Sequence, residues 1–491
     1  MKSKFSKVLS ILLSVVLVIS SFYLLYQVIR LNVLPSKFLF PLTIGVVVLD
    51  AIFILLLIYF SKNVVSKIVC ILLTLFICVA TCMGGYYISK TQNVLSNITN
   101  VAKHAKNTVS VIVKESSSIK DKSQLNGVSV GSLRLNEQGS KKALKELSNE
   151  GIVLNQTEYD SMTALLEAFY NGEVDSIIIN ESSRSQILDM EAYSNFDSNT
   201  RVVYQTSYKV KNNDSATSVS DITSKPFNVL ISGSDTRGGF DENGRSDVIM
   251  VATVNPKTHT ILLTSVPRDF YVTTACDAGD GCMQGALDKI THTGIHGTNT
   301  TKRTVEQLLG IEINYTFKVG FDTVTDLVDA LGGVDVYVEP GYAVHNEYIN
   351  VKEGVNHLYG KEALDYARER YAYSEGDRQR TKNQQQVLMG IVKEATKPSV
   401  ITNYAAIMDT IANTFSTTMS NEEITDLIKY QLNNNPTWKM EQYMVDGTGD
   451  TLMCAELGDA ASVMVPDQST VKMAKDKINA VLAGKSSEDV K

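Results

Sequence analysis

Between Phe227 and Gln386 the chain carries a recurring set of arginines and aspartates: Asp235, Arg237, Arg245, Asp247, Arg268, Asp269, Arg368, Arg370, Asp377, Arg378 and Arg380. Guanidinium groups present rigid forks of donors that match phosphate oxygens two at a time. One or two carboxylates beside bound phosphates suffice to hold a divalent cation. Gathered at one place, these residue types suit a phosphate ester or pyrophosphate with a metal. Taken singly, each is more often a solvated side chain or a simple ion pair. Asp365, Glu369 and Arg378 keep that plainer reading.

The elements around them decide whether they gather. FNVLI (Phe227–Ile231), DVIMVATV (Asp247–Val254) and TILLTSV (Thr260–Val266) read as three buried strands. Asn255-Pro256-Lys257 is a short turn, so the last two are antiparallel neighbours. The first strand ends in SGSDTR and its loop returns through GRSD. Asp235 and Asp247 then meet at one sheet edge. The third strand runs back to that edge and ends in SVPRDFYV, bringing Arg268 and Asp269. In DYARERY, Arg368 and Arg370 would diverge on a helix but point the same way in extended chain. The spacing therefore predicts a helix ending near Arg368, with both side chains reaching one ligand. Asp377, Arg380 and Gln384 fall at i, i+3 and i+7, one stripe of a helix, where Asp377 orients Arg380. Lys289 and His292 in LDKITHTG are weaker candidates; for His292 a buried or rim histidine is the plainer reading. Strands at Tyr315–Val319 and Val334–Val338 flank a helix over Asp322–Leu331 that stops at Gly332-Gly333. Further helices fit Lys302–Leu309, Lys361–Ala367, Lys382–Ala395, Glu422–Leu432 and Thr470–Leu482, giving an α/β fold, a sheet covered by helices.

Upstream, Val8–Ile29, Phe38–Phe60 and Ile68–Ile88 are apolar runs long enough to cross a hydrocarbon core of about 30 Å. The first is too long for a cleaved leader and shows no small-residue cleavage site. Lys2, Lys4 and Lys7 against Arg30 and Lys37 favour a cytoplasmic N-terminus, which places everything after Lys90 outside. Asp50 inside the second span marks either a functional site or a polar contact within the bundle. The expected domains are transmembrane helices over 1–90, a small α/β accessory domain over 91–210, a Ser/Thr/Asn-rich linker over 211–226 and the large domain over 227–491. Gln92–Val113 reads as a helix leaving the membrane. Leu165–Asn180 resembles a lobe of solute-binding domains. Cys276 and Cys282 sit close together in a Gly- and Asp-rich loop and suit a local disulfide outside the cell. A formal net charge of −7 argues against a broad nucleic-acid footprint. Only Met1–Lys7 precede the first span, too little for a DNA-binding domain.

The motifs NVLISGSDTR, GRSDVIMVATVNP, LTSVPRDFYV, LDKITHTG, FDTVTDLVDALGGVDVYV, GVNHLYGKEALDYARERY and GDRQRTKNQQ resemble, in order, the LytR-CpsA-Psr family of membrane-anchored cell-wall ligases. The likeness covers about Phe227–Ala395, with an extension through Val463–Val471. Three spans and an extra domain are most similar to the capsule-associated CpsA branch of streptococci. The resemblance implies an α/β/α domain facing the cell wall. It implies transfer of a capsular or related glycan phosphate from a polyprenyl-pyrophosphate carrier to peptidoglycan, freeing polyprenyl phosphate. Asp235 and Asp247 match the family's magnesium-linked acids, with Mn²⁺ as the alternative ion. Arg245, Arg268, Arg368, Arg370 and Arg380 match its pyrophosphate-binding arginines, and Asp377 and Gln384 further polar residues of the site. Asp235, Arg245, Asp247, Arg268 and Asp377 are the expected catalytic set. The partners implied are the lipid-linked glycan, the peptidoglycan acceptor, the membrane and other capsule-assembly proteins. Two alternatives stay open at this point: hydrolysis of the same lipid, and a non-enzymatic regulator of capsule synthesis.

Overall fold

The computed structural model describes residues 2–60, 63–101, 104–134, 137–211, 214–234, 242–277, 281–397, 400, 407–408, 410 and 415–491. The chain forms two compact units. The first comprises Met1–Asn97, Thr396–Ala412 and Ser420–Pro436; the second comprises Ile98–Ala395, Asn413–Met419 and Thr437–Lys491.

In the first unit, helices α1 (Lys2–Leu31), α2 (Ser36–Leu55) and α3 (Val64–Val101) include three segments long and apolar enough to cross a membrane: Lys7–Leu31, Ser36–Tyr59 and Val64–Thr99. Their outer faces expose large apolar side chains such as Phe22, Phe40 and Phe76. Hydroxyls lie inside. The Ser21 hydroxyl donates to Asp50 Oδ1 at 2.9 Å, and Thr81 Oγ1 donates to Ser20 Oγ at 2.9 Å. Asp50 thus makes a polar contact between helices, the use expected of a lone acid in an apolar bundle. The helix Asn421–Asn434, with a Ser420/Glu423 capping box, is tied to the α1–α2 turn by Lys429 Nζ on Asn32 Oδ1 at 2.8 Å and by Lys37 on the Asn433 carbonyl.

The second unit opens with a five-stranded sheet. Its strands are β1 (His104–Lys114), β2 (Ser129–Leu133), β3 (Asn155–Tyr159), β4 (Ser176–Asn180) and β5 (Thr200–Lys211), in the order β3-β2-β4-β1-β5. Helices α4 (Glu137–Asn149) and α5 (Met162–Asn171) cover it, and the short α6 (Arg184–Asp189) follows β4. The helix expected over Gln92–Val113 is corrected here: α3 runs to Val101, and from His104 the chain is the strand β1. The run VSVIV is β-branched, and β1 pairs antiparallel with both β4 and β5, so Val109, Val111, Ile112 and Val113 are fully buried. β3 went unseen because NQTEY is a polar, largely exposed edge strand.

After β5, residues 214–226 are fastened to the large domain. Thr217 N donates to the Asn314 carbonyl, and Val219 N to Tyr315 Oη, each at 2.9 Å. Thr316 Oγ1 donates to Asp214 Oδ2 at 2.6 Å. The central sheet is built from β6 (Phe227–Ser234), β7 (Ser246–Asn255), β8 (Thr260–Ser265), β9 (Tyr315–Gly320), β12 (Phe415–Thr417) and β13 (Lys439–Met444). Its order is β12-β9-β6-β7-β8-β13. β6, β7 and β8 are successive antiparallel neighbours; β9 joins β6, and β13 joins β8, in parallel. One face packs on α7 (Thr298–Leu309) and α11 (Gln468–Leu482) through Leu230, Val251, Leu262, Val305 and Ile478. A second core gathers α8 (Phe321–Leu331), α9 (Gly360–Arg368) and α10 (Asp377–Ala395) around Val328, Val336, Tyr366 and Val387. The expected strand Val334–Val338 forms, as β10, but outside the central sheet. It pairs antiparallel with β11 (Gly354–Leu358), Val334 opposite Leu358. α8 ends on Gly332 and Gly333, at φ of 90° and 100°, and this reversal turns the chain away from the sheet edge.

Burial pushes the Asp214 carboxyl up to about 6, against the pull of the Thr316 hydroxyl and Lys302. The folded chain therefore holds this proton more tightly than the unfolded one. Stability falls as pH rises from about 4 to about 6, and the penalty persists above. Asp214→Asn keeps the acceptor without the charge. It is expected to raise stability at pH 7.5 by about 1 to 2 kcal/mol, allowing for partial screening, and to change nothing at pH 4. Thermal unfolding of the full chain in detergent at the two pH values measures this.

Candidate active site

The register of two strands brings the first pair together. In the β7–β8 ladder Met250 faces Ser265, and Val266 N still donates to the Ile249 carbonyl at 2.9 Å. Continued three residues further, that register sets Asp247 opposite Arg268. The side chains meet: Arg268 Nη1 donates to Asp247 Oδ1 at 2.8 Å, with both largely shielded from solvent. Thr291 lies on the same carboxylate oxygen at 3.5 Å, and its amide donates to the Arg268 carbonyl at 3.0 Å. Asp269 lies 3.7 Å from Arg268 Nε and 3.4 Å from Lys289 Nζ.

The second group comes from α9 and α10. α9 ends at Arg368, as the spacing predicts, and α10 begins at Asp377. One turn on, Arg380 forms an ion pair with Asp377. Gln384 follows on the same stripe and is half-buried. The other side of α10 is fixed to the fold: Gln385 Nε2 donates to the Tyr443 carbonyl at 2.8 Å, and Asn383 Nδ2 to the Tyr366 carbonyl at 3.1 Å.

The two groups share one electrostatic neighbourhood. Burial holds the Arg380 guanidinium below its ordinary pKa; Asp377 and Asp247 oppose this, and Arg268 and Arg370 add to it. For Arg268, burial works in the same direction but loses to Asp247, Asp269 and Asp377, so its pKa is raised. The Nε atoms of Arg245, Arg268 and Arg380 are buried without a hydrogen-bond partner. A buried donor left unmade costs about 1 to 3 kcal/mol. Three arginines thus each carry a buried donor that no protein group takes up.

The remaining candidates divide. Arg370 is coupled to Arg380, and its guanidinium lies 4.7 Å from the Tyr371 ring centroid. Arg368 is exposed and lies over the Phe321 ring at 5.0 Å. Arg245 stands two residues before Asp247 and is paired with Asp189 of α6. Asp235 and Arg237 lie outside the described residues. Arg378 is tied to Asp446 Oδ1 at 2.8 Å and the Gly447 carbonyl at 2.9 Å, Asp365 to Lys361 at 2.6 Å, and Glu369 accepts the Tyr371 and Ala372 amides. His292 is buried with Nδ1 at 2.7 Å from Asp288 Oδ1, and Asp288 also accepts the Glu456 amide at 2.8 Å. Cys276 and Cys282 are joined as a disulfide. Among the described residues no three His, Cys, Asp or Glu side chains form a metal-binding group. The residue not foreseen is Asp189. The small domain shows no catalytic constellation in its sequence, and ILDM carries no signal for one.

Residues 192–480 fit the LytR_cpsA_psr family. The chain belongs to the LytR-CpsA-Psr family. It is 31% identical over 241 residues to the polyisoprenyl-teichoic acid–peptidoglycan teichoic acid transferase TagU of Bacillus cereus (strain AH820), covering 48% of this chain and 76% of that protein. It is 35% identical over 203 residues to TagU of Bacillus subtilis (strain 168), covering 41% of this chain and 63% of that one. A crystal structure of protein gbs0355 from Streptococcus agalactiae is 26% identical, with a TM-score of 0.46, over 53% of this chain and 89% of that one. Within this LytR-CpsA-Psr chain, residues 1–191 lie outside the matched region.

Behind Arg245 and Asp247 the packing leaves no room. A Cβ on Gly294 would lie 2.5 Å from the Gly244 carbonyl oxygen and 2.6 Å from Ser246 N. Backbone atoms cannot swing aside, so Gly294→Ala must displace the segment that carries both site residues. It is expected to cost about 1 to 3 kcal/mol, read as a lowered unfolding midpoint of the full chain.

Proposed function

We propose that this chain transfers a glycan phosphate from a polyprenyl-pyrophosphate carrier to a hydroxyl of peptidoglycan, releasing polyprenyl phosphate, with the glycan being capsular or related. The observation that carries the reading is the pair of largely buried guanidinium groups of Arg268 and Arg380, each with an unpartnered Nε donor, with Arg370 in the same electrostatic neighbourhood. Family membership and the transferase names of the TagU relatives support it. A pyrophosphate brings dense charge and many acceptor oxygens, and the cluster supplies forked donors fixed before the ligand arrives. The acceptor hydroxyl attacks the glycan-side phosphorus. The new P–O bond forms as the bridging P–O bond breaks, and polyprenyl phosphate leaves with the bonding electrons. The hydroxyl proton passes to a carboxylate of the cluster, for which Asp247 and Asp377 are in place. Arg268 and Arg380 hold the charge that builds on the leaving phosphate.

A magnesium ion fits this donor set as part of the proposal. Asp247, with Asp235 outside the described residues, would hold it together with pyrophosphate oxygens, since Mg²⁺ takes one or two carboxylates beside substrate phosphates. When bound, it would neutralise charge on the leaving phosphate. The three long apolar helices and the Cys276–Cys282 disulfide support a membrane-anchored enzyme whose catalytic domain faces the oxidising exterior, with its N-terminus in the cytoplasm.

The test uses the full chain in lipid nanodiscs with a polyprenyl-pyrophosphate glycan and a peptidoglycan acceptor, following release of polyprenyl phosphate and glycan on the acceptor. Arg268→Ala and Arg380→Ala are each expected to lower the rate by about two to four decades. Arg378→Ala, two residues from Arg380 but tied to Asp446, should keep near-normal turnover. Release of polyprenyl phosphate with no glycan on the acceptor would make the chain a hydrolase. No turnover by the wild type would overturn the reading.

Chelation gives a separate check. EDTA should reduce transfer by at least about tenfold, and Mg²⁺ or Mn²⁺ should restore it. Full activity in EDTA would remove the metal from the proposal.

A further inference from the structure

We infer that the small α/β domain completes the pyrophosphate site, with Asp189 as a positioning residue for Arg245. This rests on the proposed pyrophosphate reading of the arginine cluster. Residues 242–246 lead into Asp247 and carry Arg245, and both domains grip them. From the small domain, Thr108 Oγ1 donates to Glu242 Oε1, and Lys106 Nζ lies 3.2 Å from the same carboxylate, beside a backbone bridge between Lys106 and Glu242. Asp189, the last residue of α6, forms the ion pair with Arg245 Nη1. From the large domain, Lys318 Nζ donates to the Glu242 carbonyl at 2.5 Å, and Gly294 abuts Gly244 and Ser246.

The pairing is asymmetric. The Arg245 side chain is 11% exposed and that of Asp189 59%. The carboxylate therefore sits on the solvent side and takes one Nη of the guanidinium. Nε stays buried and unpartnered, available to an anion. Asp189 is itself held by its neighbour. Met190 packs against Cys454, Leu457 and Val463 of the hairpin β14 (Gly447–Cys454) and β15 (Asp459–Pro466). The Leu457 carbonyl accepts the Thr163 amide at 3.3 Å. An apolar contact thus fixes where the small domain presents its carboxylate, and that carboxylate fixes the rotation of the guanidinium. A carboxylate acting as a plug would instead compete with the ligand for Arg245, so the two roles predict opposite changes in affinity.

The experiment measures binding of a polyprenyl pyrophosphate and steady-state transfer by the full chain in nanodiscs, for wild type, Asp189→Ala, Asp189→Glu, Arg245→Ala and the double variant Asp189→Ala/Arg245→Ala. Asp189→Ala should weaken binding and raise KM by about tenfold with a smaller change in kcat. Asp189→Glu should recover most of the loss. The double variant should bind no worse than Arg245→Ala, since the two residues act as one. Without any ligand, hydrogen exchange of the Gly244–Asp247 amides should quicken in Asp189→Ala. Binding equal to or tighter than wild type in Asp189→Ala, or losses from Asp189→Ala and Arg245→Ala that simply add, would overturn the inference alone. A wild type that binds no lipid would take down the proposed function and this inference with it.

Discussion

The large domain is organised around the cost of putting guanidinium groups close together out of water. Arg268 and Arg380 are both largely buried, and burial, with Arg268 and Arg370 nearby, lowers the affinity of Arg380 for its proton. Such a pair persists only if opposite charge is supplied at short range. Asp247 and Asp269 supply it to Arg268, and Asp377 supplies it to Arg380. Each carboxylate takes part of a fork and leaves other donors unused. The cluster is tolerable as it stands and still leaves buried donors without acceptors, the feature on which the proposed function rests.

Much of this arrangement was legible in the chain because it follows from turn length and strand register. The Asn255-Pro256-Lys257 turn makes β7 and β8 antiparallel, and that alone requires the start of one to meet the end of the other. Asp247 and Arg268 had to be neighbours. The Asp377–Arg380 pair was legible for the same kind of reason, since residues three apart on a helix share a face. What was not legible depended on partners distant in sequence. β1 looked like the continuation of a helix until β4 and β5 paired with both its edges. β10 has the composition of a central strand, and only the Gly332-Gly333 reversal removes it from the sheet. Asp189 has no local signature at all; its meaning comes from docking one domain on another.

Position along α10 separates the candidate cluster from the framework at single-residue resolution. Asp377, Arg380 and Gln384 share the stripe that carries the cluster. Arg378 is turned to Asp446 and Gly447, while Asn383 and Gln385 secure the helix to Tyr366 and Tyr443. A helix anchored by neutral amides on one side can hold a largely buried cation on the other without rotating. Composition alone, which counts Arg378 and Arg380 as equals, could not separate them.

The cluster also straddles two hydrophobic cores. Asp247, Arg268 and Thr291 are carried by the body built around Ile249, Leu262, Val266 and Ile290; Arg370, Asp377 and Arg380 by the body built around Tyr366, Tyr373 and Val387. Charges of both signs therefore face one another across a seam between two packed bodies: Asp377 acts on Arg268, and Asp247 and Arg268 act in opposite directions on Arg380. A pyrophosphate bound as proposed would touch both bodies at once. Its affinity would then be linked to the cohesion of the two halves, and a change that loosens the seam far from the arginines would be felt at the phosphate.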